Sequence, residues 1–215
     1  MRERDIARLQ TIGWLLAFYM LIAWSIAPAE EPPVERIEEI ALNLPVHVGA
    51  IMQMPTEALA QPEPWELWLQ ETLGASDYTV ELAAAISGSE AITGLPEEQR
   101  ADFAALTCAV LYKESRLRHT ENGKVKRGDG GKAIGVGQIH RSPWQKHYSE
   151  GLGRDVNLDL LADNVLVCQL LLIRGGWNVL PVKQVASYYN TGRRGASNGY
   201  GTLVAELWNE IKESE

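Results

Sequence analysis

Apolar and polar positions divide this chain into parts of different character. Between Thr11 and Ala27 nearly every residue is apolar, with Ile12, Trp14, Leu15, Leu16, Phe18, Met20, Leu21, Ile22, Trp24 and Ile26 in order. A run of about 17 residues lies at the lower limit of what crosses a bilayer as a helix. From Trp65 onward apolar residues recur instead at spacings of three and four, the mark of amphipathic helices. Trp65, Trp68 and Leu69 share a face of the first. Val80, Leu82, Ala83, Ala84 and Ile86 predict a second helix, which Gly88 ends. Pro96-Glu97-Glu98 is a good helix start, with proline in the first turn and carboxylates at the positive end of the dipole. Phe103, Leu106, Thr107, Val110 and Leu111 carry that helix to about Leu117.

The pattern then breaks. Asn122 to Lys132 is polar and holds Gly123, Gly128, Gly130 and Gly131, which predicts a loop or a short hairpin. Asp163 to Ile173 is a strongly apolar helix stopped by Gly175-Gly176. Pro181 opens another helix ending near Tyr189, and Leu203 to Ile211 forms the last. The fold class is mainly α with minimal β.

Seven of the ten prolines fall between Pro28 and Pro64, among Glu30, Glu31, Glu35, Glu38, Glu39, Glu57 and Glu63. Proline removes backbone donors and restricts the residue before it, so this stretch holds no long helix or strand. It reads as a semi-extended acidic stalk, with room for one short helix at Val34–Leu42. Three segments result: 1–28 a membrane anchor or signal peptide, 29–64 an acidic proline-rich linker, and 65–215 a folded domain. Arg2, Arg4 and Arg8 precede the apolar run and only Arg36 soon follows it, which places the N-terminus in the cytoplasm. Ala27-Pro28-Ala29 resembles a small-residue cleavage site, so a cleaved signal stays open.

Of the net charge of −8, nearly all sits before residue 75, where four Lys/Arg face eleven Asp/Glu. The remainder is close to neutral and carries no basic nucleic-acid footprint, so nucleic acid is excluded as a partner. Cys108 and Cys168 lie in apolar helical segments, as a disulfide of an exported chain or as two buried thiols. His47, His119, His140 and His147 are scattered and unpaired with cysteine. No metal or cofactor is expected.

Three short motifs carry the chemistry. Glu114-Ser115 ends the helix begun at Pro96. Gly135-Val136-Gly137-Gln138-Ile139 is a glycine-bounded turn with an amide. Ala186-Ser187-Tyr188-Tyr189-Asn190 closes a helix. One carboxylic acid, one amide and a Tyr-Asn pair suit a cleft that binds and cuts a sugar chain.

With these motifs in this order, the stretch from about Ala75 to Trp208 resembles the soluble lytic transglycosylase domain, a lysozyme-like fold. The family pattern of Glu-Ser, then Gly-x-x-Gln-[Ile/Val], then Ala-x-Tyr-Asn is carried by Glu114-Ser115, Gly135 to Ile139, and Ala186 to Asn190. Asp163-Asn164 is similar to the asparagine-led helix between the second and third motifs. Two departures stand out. Gly137 occupies the position of a methionine, removing one apolar wall, and the loop between Glu114 and Gly135 is long, with Lys124, Lys126, Arg127 and Lys132 in it.

The resemblance implies cleavage of the MurNAc-GlcNAc bond of peptidoglycan with formation of a 1,6-anhydro ring. Glu114 would act as acid and then base, held protonated by an apolar pocket for which Val110, Leu111 and Tyr189 are candidate walls. Ser115 would contact the substrate or steady the glutamate. Gln138 would bind an N-acetyl sugar, Tyr189 would orient Glu114, and Asn190 would fix its helix end. Arg116, Arg118, Arg193 and Arg194 read as a solvated face or as attractors of peptide-stem carboxylates. Trp144 and Trp177 read as core rather than as sugar platforms. The partners implied are glycan strands and the inner membrane, with the domain in the periplasm, and a secretion, conjugation or phage-assembly machine as a further candidate. Three rival readings are a hydrolase using Glu114 with Asp129, a silent wall-binding module, and a phage lysis enzyme tethered by its N-terminal segment and later released.

Overall fold

A computed structural model describes residues 61–214. The apolar run at 11–27, read as anchor or signal, and the acidic linker up to residue 60 lie outside the described residues. Within the described residues no helix is long and apolar enough to cross a membrane.

The described chain is mainly helical. Helix α1 (Pro64–Leu73) opens with Pro64 in its first turn, where the missing N–H costs nothing. The Glu66 carboxylate accepts from the Glu63 N–H at 3.0 Å, half of a reciprocal cap. Trp65, Trp68 and Leu69 are buried, the face expected from their spacing. Helix α2 (Asp77–Ser87) is capped by Ser76, whose hydroxyl accepts from the Thr79 N–H. Its buried face runs through Thr79, Leu82 and Ile86, while Val80 lies exposed. A single turn, α3 (Glu90–Thr93), follows, capped by Ser89.

Helix α4 (Glu97–Ser115) begins with Pro96 at its cap rather than inside its first turn. All residues from Phe103 to Leu111 are buried, so the helix is covered on every side over two and a half turns. Beyond it, the polar stretch forms a hairpin of β1 (Thr120–Glu121) and β2 (Lys124–Val125), paired Thr120 to Val125. An antiparallel sheet of β3 (Arg127–Gly128), β4 (Ala133–Ile134) and β5 (Ile139–His140) comes next. Ile134 pairs with both Arg127 and Ile139, and the second motif is the turn joining β4 to β5.

Helix α5 (Arg141–Leu152) has no counterpart in the hydrophobic pattern, because its sequence is polar and holds Tyr148 as a buried residue. Helix α6 (Leu161–Arg174) is the second covered helix, with Asp163 through Gln169 all buried. It packs on α2, α3, α4 and α7 (Val182–Thr191). Helix α8 (Gly199–Lys212) packs along α7 and α4 and starts four residues before the expected Leu203. Asn198 sets that start, its side chain accepting from the Gly201 N–H at 2.9 Å. Cys108 and Cys168 are fully buried free thiols, so no disulfide links α4 to α6.

The first turn of α6 ties the sheet to the helices. Asp163 accepts from the Asn157 N–H at 2.7 Å and pairs with Arg154 at 2.9 Å. Asn164 is wholly buried, and its side chain uses three hydrogen bonds: Oδ1 accepts from Gly137 N–H at 2.8 Å, and Nδ2 donates to the carbonyls of Ile134 and Leu158, each at 2.9 Å. Replacing it removes all three of these buried hydrogen bonds. Asn164→Ala is therefore expected to lower stability by about 3 kcal/mol or more, read by urea unfolding. A loss below about 1 kcal/mol, the worth of a single bond, would contradict this role.

Candidate functional site

Helix α4 stops directly after Glu114-Ser115 because the next two residues turn left-handed. Arg116 has φ 58° and Leu117 φ 60°. Each costs a non-glycine residue on the order of 1 kcal/mol or more, so other contacts must hold the turn. Tyr78 provides one, its hydroxyl donating to the Leu117 carbonyl and accepting from the His119 N–H. Lys126 Nζ donates to the Ser115 carbonyl at 3.1 Å, a cation at the negative end of the helix. Ser115 is buried and spends its hydroxyl on the same turn. It donates to the Leu111 carbonyl and accepts from the Arg118 N–H, each at 3.1 Å. The expected contact of Ser115 with a ligand or with Glu114 is thus replaced by a structural one.

The second motif is held through nearly every polar backbone atom. Gly135 N–H donates to the Lys126 carbonyl at 2.9 Å and Val136 N–H to His119 Nδ1 at 3.3 Å. Gly137 N–H goes to Asn164, and Tyr189 donates its hydroxyl proton to the Gly137 carbonyl at 2.6 Å. His119 must be the Nε2–H tautomer, since Nδ1 accepts while Nε2 meets the Asp159 carbonyl at 2.9 Å. Gly135 has φ 69°, and a Cβ there would lie 2.5 Å from Asn164 Nδ2 and 2.7 Å from His119 Cε1. Only glycine fits. Gly137 is needed for approach: a Cβ would sit 3.0 Å from Tyr189 Oη and 3.2 Å from Asn164 Oδ1. A methionine in its place would press on the hydrogen bond that seats Tyr189.

These elements enclose a cleft of about 470 Å³. Glu114, Gln138, Tyr189 and Asn190 all line it, so four sequence-predicted residues from three motifs meet in one place. Gln138, at φ 47°, donates Nε2 to the Gly135 carbonyl at 2.7 Å, and its Oε1 lies against Gly128. Asn190 accepts from Asn198 Nδ2 at 3.1 Å, which joins the end of α7 to the start of α8. Ala186 and Asn164 lie buried behind the cleft. Of the expected walls, Tyr189 lines the cleft, whereas Val110 and Leu111 are buried in the core; Ile139, Leu171 and Trp144 complete the apolar side. Trp144 is therefore a cleft residue as well as a core one. Trp177 packs against Phe103 in the core, as expected.

Arg116, Arg118, Arg193 and Arg194 are exposed and do not line the cleft. Arg116 lies over the Tyr112 ring at 4.5 Å, and Arg194 donates to the Arg174 carbonyl. Asp129 does line the cleft, its carboxylate 2.9 Å from His140 Nε2. Among the described residues no group of three His, Cys, Asp or Glu lies close enough to hold a metal ion.

Glu114 is oriented by a residue outside the three motifs. Tyr200, from the first turn of α8, donates its hydroxyl proton to Glu114 Oε1 at 2.6 Å. Tyr189, expected in that role, points to Gly137 instead. Gly201 makes the placement possible, since a Cβ there would overlap the Lys183 carbonyl and Ser187 Oγ on α7. The sequence signal was an asparagine N-cap followed by Gly-Tyr-Gly, just before the helix start expected at Leu203.

Burial holds the Glu114 carboxyl above the usual carboxylate range. The Tyr200 hydrogen bond opposes that shift, and the negative charge of Asp129 adds to it. Burial and the neighbouring Glu114 likewise push the Tyr200 hydroxyl far up, so it stays a donor. Burial also pushes the thiol of Cys168 up to about 12. The arrangement offers one carboxylic acid able to give up and retake a proton, with Oε2 free of the tyrosine.

Tyr200→Phe removes a bond that favours the ionised carboxylate, so the Glu114 pKa is expected to rise further. Carbon-detected NMR titration of the Glu114 carboxyl reads this directly, and a fall in its pKa would contradict the assignment. Compared with known families, curated proteins and solved structures, the chain matches none, so the site stands on its own residues.

Proposed function

We propose that this chain is a peptidoglycan lytic transglycosylase with a lysozyme-like domain, cleaving the β-1,4 bond between N-acetylmuramic acid and N-acetylglucosamine. The observation that carries the reading is the half-buried Glu114, its carboxyl pKa raised by burial and its Oε1 held by Tyr200, in a cleft that Gln138, Tyr189 and Asn190 share. Tyr200 occupies Oε1, which directs the acidic proton to Oε2. That proton passes to the glycosidic oxygen as the bond to the muramyl C1 breaks. The resulting carboxylate then takes the proton of the C6 hydroxyl, whose oxygen closes on C1. A 1,6-anhydro ring forms, no water is consumed, and Glu114 ends as it began.

Neighbouring groups suit this course. The second amide hydrogen of Gln138 offers a donor to the carbonyl of an N-acetyl group. Trp144 adds an apolar wall to the cleft in which a sugar would sit. The membrane-bound or exported placement and the recruitment of the chain to a larger envelope machine belong to the same proposal and rest on the N-terminal sequence alone.

A second reading has one observation in its favour: Asp129 lines the same cleft and its charge acts on Glu114. A hydrolase would use that carboxylate on the far side of the scissile bond. The Asp129 contact with His140 and the exposed position of both side chains make it the weaker reading. Digestion of sacculi by the full-length chain separates the two by product mass. Products one water lighter, with an anhydro end, support the transglycosylase; reducing ends would mean the hydrolase.

Glu114→Gln keeps an acceptor for Tyr200 but has no acidic proton, so cleavage is expected to fall by roughly 10²- to 10⁴-fold with the fold retained. Stability supplies an independent check. Because the folded chain binds this proton more tightly than the unfolded one, the associated stability is complete below the unfolded carboxyl pKa and is lost as pH rises through the folded value. Melting curves should therefore show Glu114→Gln gaining on the wild type as pH rises above the ordinary glutamate range. A wild type that gains instead would mean the carboxyl is not raised.

A further inference from the structure

A second cavity of about 470 Å³ adjoins the cleft, and His140 lines both. Its other walls include Arg127, Lys132, Arg141 and Ser142, so three permanent cations face one space. Arg127 comes from β3 and Lys132 from the turn before β4, both in the long loop between the first two motifs. Arg141 begins α5.

Asp159 organises this cavity without neutralising it. Its carboxylate takes Nη2 of Arg127 at 2.7 Å and Nη2 of Arg141 at 3.0 Å. Asp159 is itself fixed, its N–H donating to Asn157 and its carbonyl meeting buried His119. Each guanidinium has five N–H donors in a planar fork, and one nitrogen of each is used. Lys132 has no ion pair among the described residues. The wall therefore carries an excess of two positive charges over Asp159, with unused donors.

We propose that this cavity is a subsite for the carboxylates of the peptide borne by the muramyl sugar, so that the enzyme prefers strands carrying their peptide stems. The inference rests on the reading of the cleft given above. A glycan seated against Glu114 carries its lactyl-linked peptide from the very sugar being cut, and the two spaces lie on either side of one residue, His140. A stem peptide brings carboxylates, and forked guanidiniums match carboxylate geometry. The cations are also partly exposed, so a ligand reaches them without prior unfolding of the loop.

The test measures kcat/KM of the full-length chain on glycan strands with intact stems and on the same strands stripped by an amidase. The wild type is expected to favour stem-bearing strands by about tenfold, the worth of one charge-assisted hydrogen bond or more. In Lys132→Ala/Arg141→Ala that ratio should collapse toward one. A wild type with no preference, or a double variant that keeps it, would overturn the subsite. Cleavage of neither strand would instead sink the transglycosylase reading. The subsite is then judged separately, by titrating N-acetylmuramyl-tripeptide into the chain and following the Lys132 and Arg141 amide signals. Binding lost in the double variant and in a ligand with amidated carboxylates supports it. Unchanged signals, or tighter binding of inorganic phosphate than of the peptide, would overturn it.

Discussion

The side-chain amide of Asn164 carries the contact on which the geometry of the cleft depends. It is fully out of water, and its three hydrogen bonds join the backbone of Ile134, Gly137 and Leu158 to one side chain. By holding Ile134 and Gly137 it fixes both sides of the β4–β5 turn relative to α6. With Gly137 fixed, its carbonyl becomes the seat of Tyr189, and α7 is drawn to the sheet. Buried His119 supports the same turn from the other side, as a neutral ring between an N–H and a carbonyl. The two glycines of the motif follow as consequences. One must take a positive φ against Asn164 and His119, and the other must let a phenol approach.

A second constraint is electrical. A buried carboxyl needs a partner, and an Arg or Lys at that place would hold it ionised. Tyr200 is a neutral donor whose own proton is held tightly, so it orients Glu114 while leaving burial to dominate. The backbone invests strain to stop α4 at that point. Two left-handed residues follow Ser115, and Tyr78, Lys126 and the Ser115 hydroxyl hold them there. Glu114 thereby stands in the last turn of a helix whose middle is covered on every side, with its head in the cleft. Strain, cap and carboxyl form one local unit.

Much of this was legible in the chain itself. The spacing of Trp65, Trp68 and Leu69 placed α1, the continuous apolar run after Asp163 placed α6, and glycines at 88 and 175 marked helix ends. Such features are local: helix period, caps and breakers act over a few residues. The residue types and order of the three motifs also singled out Glu114, Gln138, Tyr189 and Asn190, and these do line one cleft. Helix α5 was not legible, because a polar helix with Tyr148 as its buried residue has no periodic signature.

Only the tertiary structure decided which side chains meet. Ser115 looked like a site residue and proved to be a cap, since its hydroxyl reaches backbone three and four residues away. Tyr200 lies before the expected helix start at Leu203 and belongs to none of the three motifs, yet it is the partner of a carboxyl 86 positions earlier. That pairing needs Gly201 against Ser187, a contact between two helices that neither segment announces alone. The cysteines were ambiguous for the same reason, as a pair of apolar positions is compatible with a bond or with two thiols until the packing of α4 on α6 is known. Sequence determined the elements and the candidate chemistry because those depend on neighbours along the chain. Orientation of the acid, the walls of the cleft and the basic cavity beside it depend on neighbours in space.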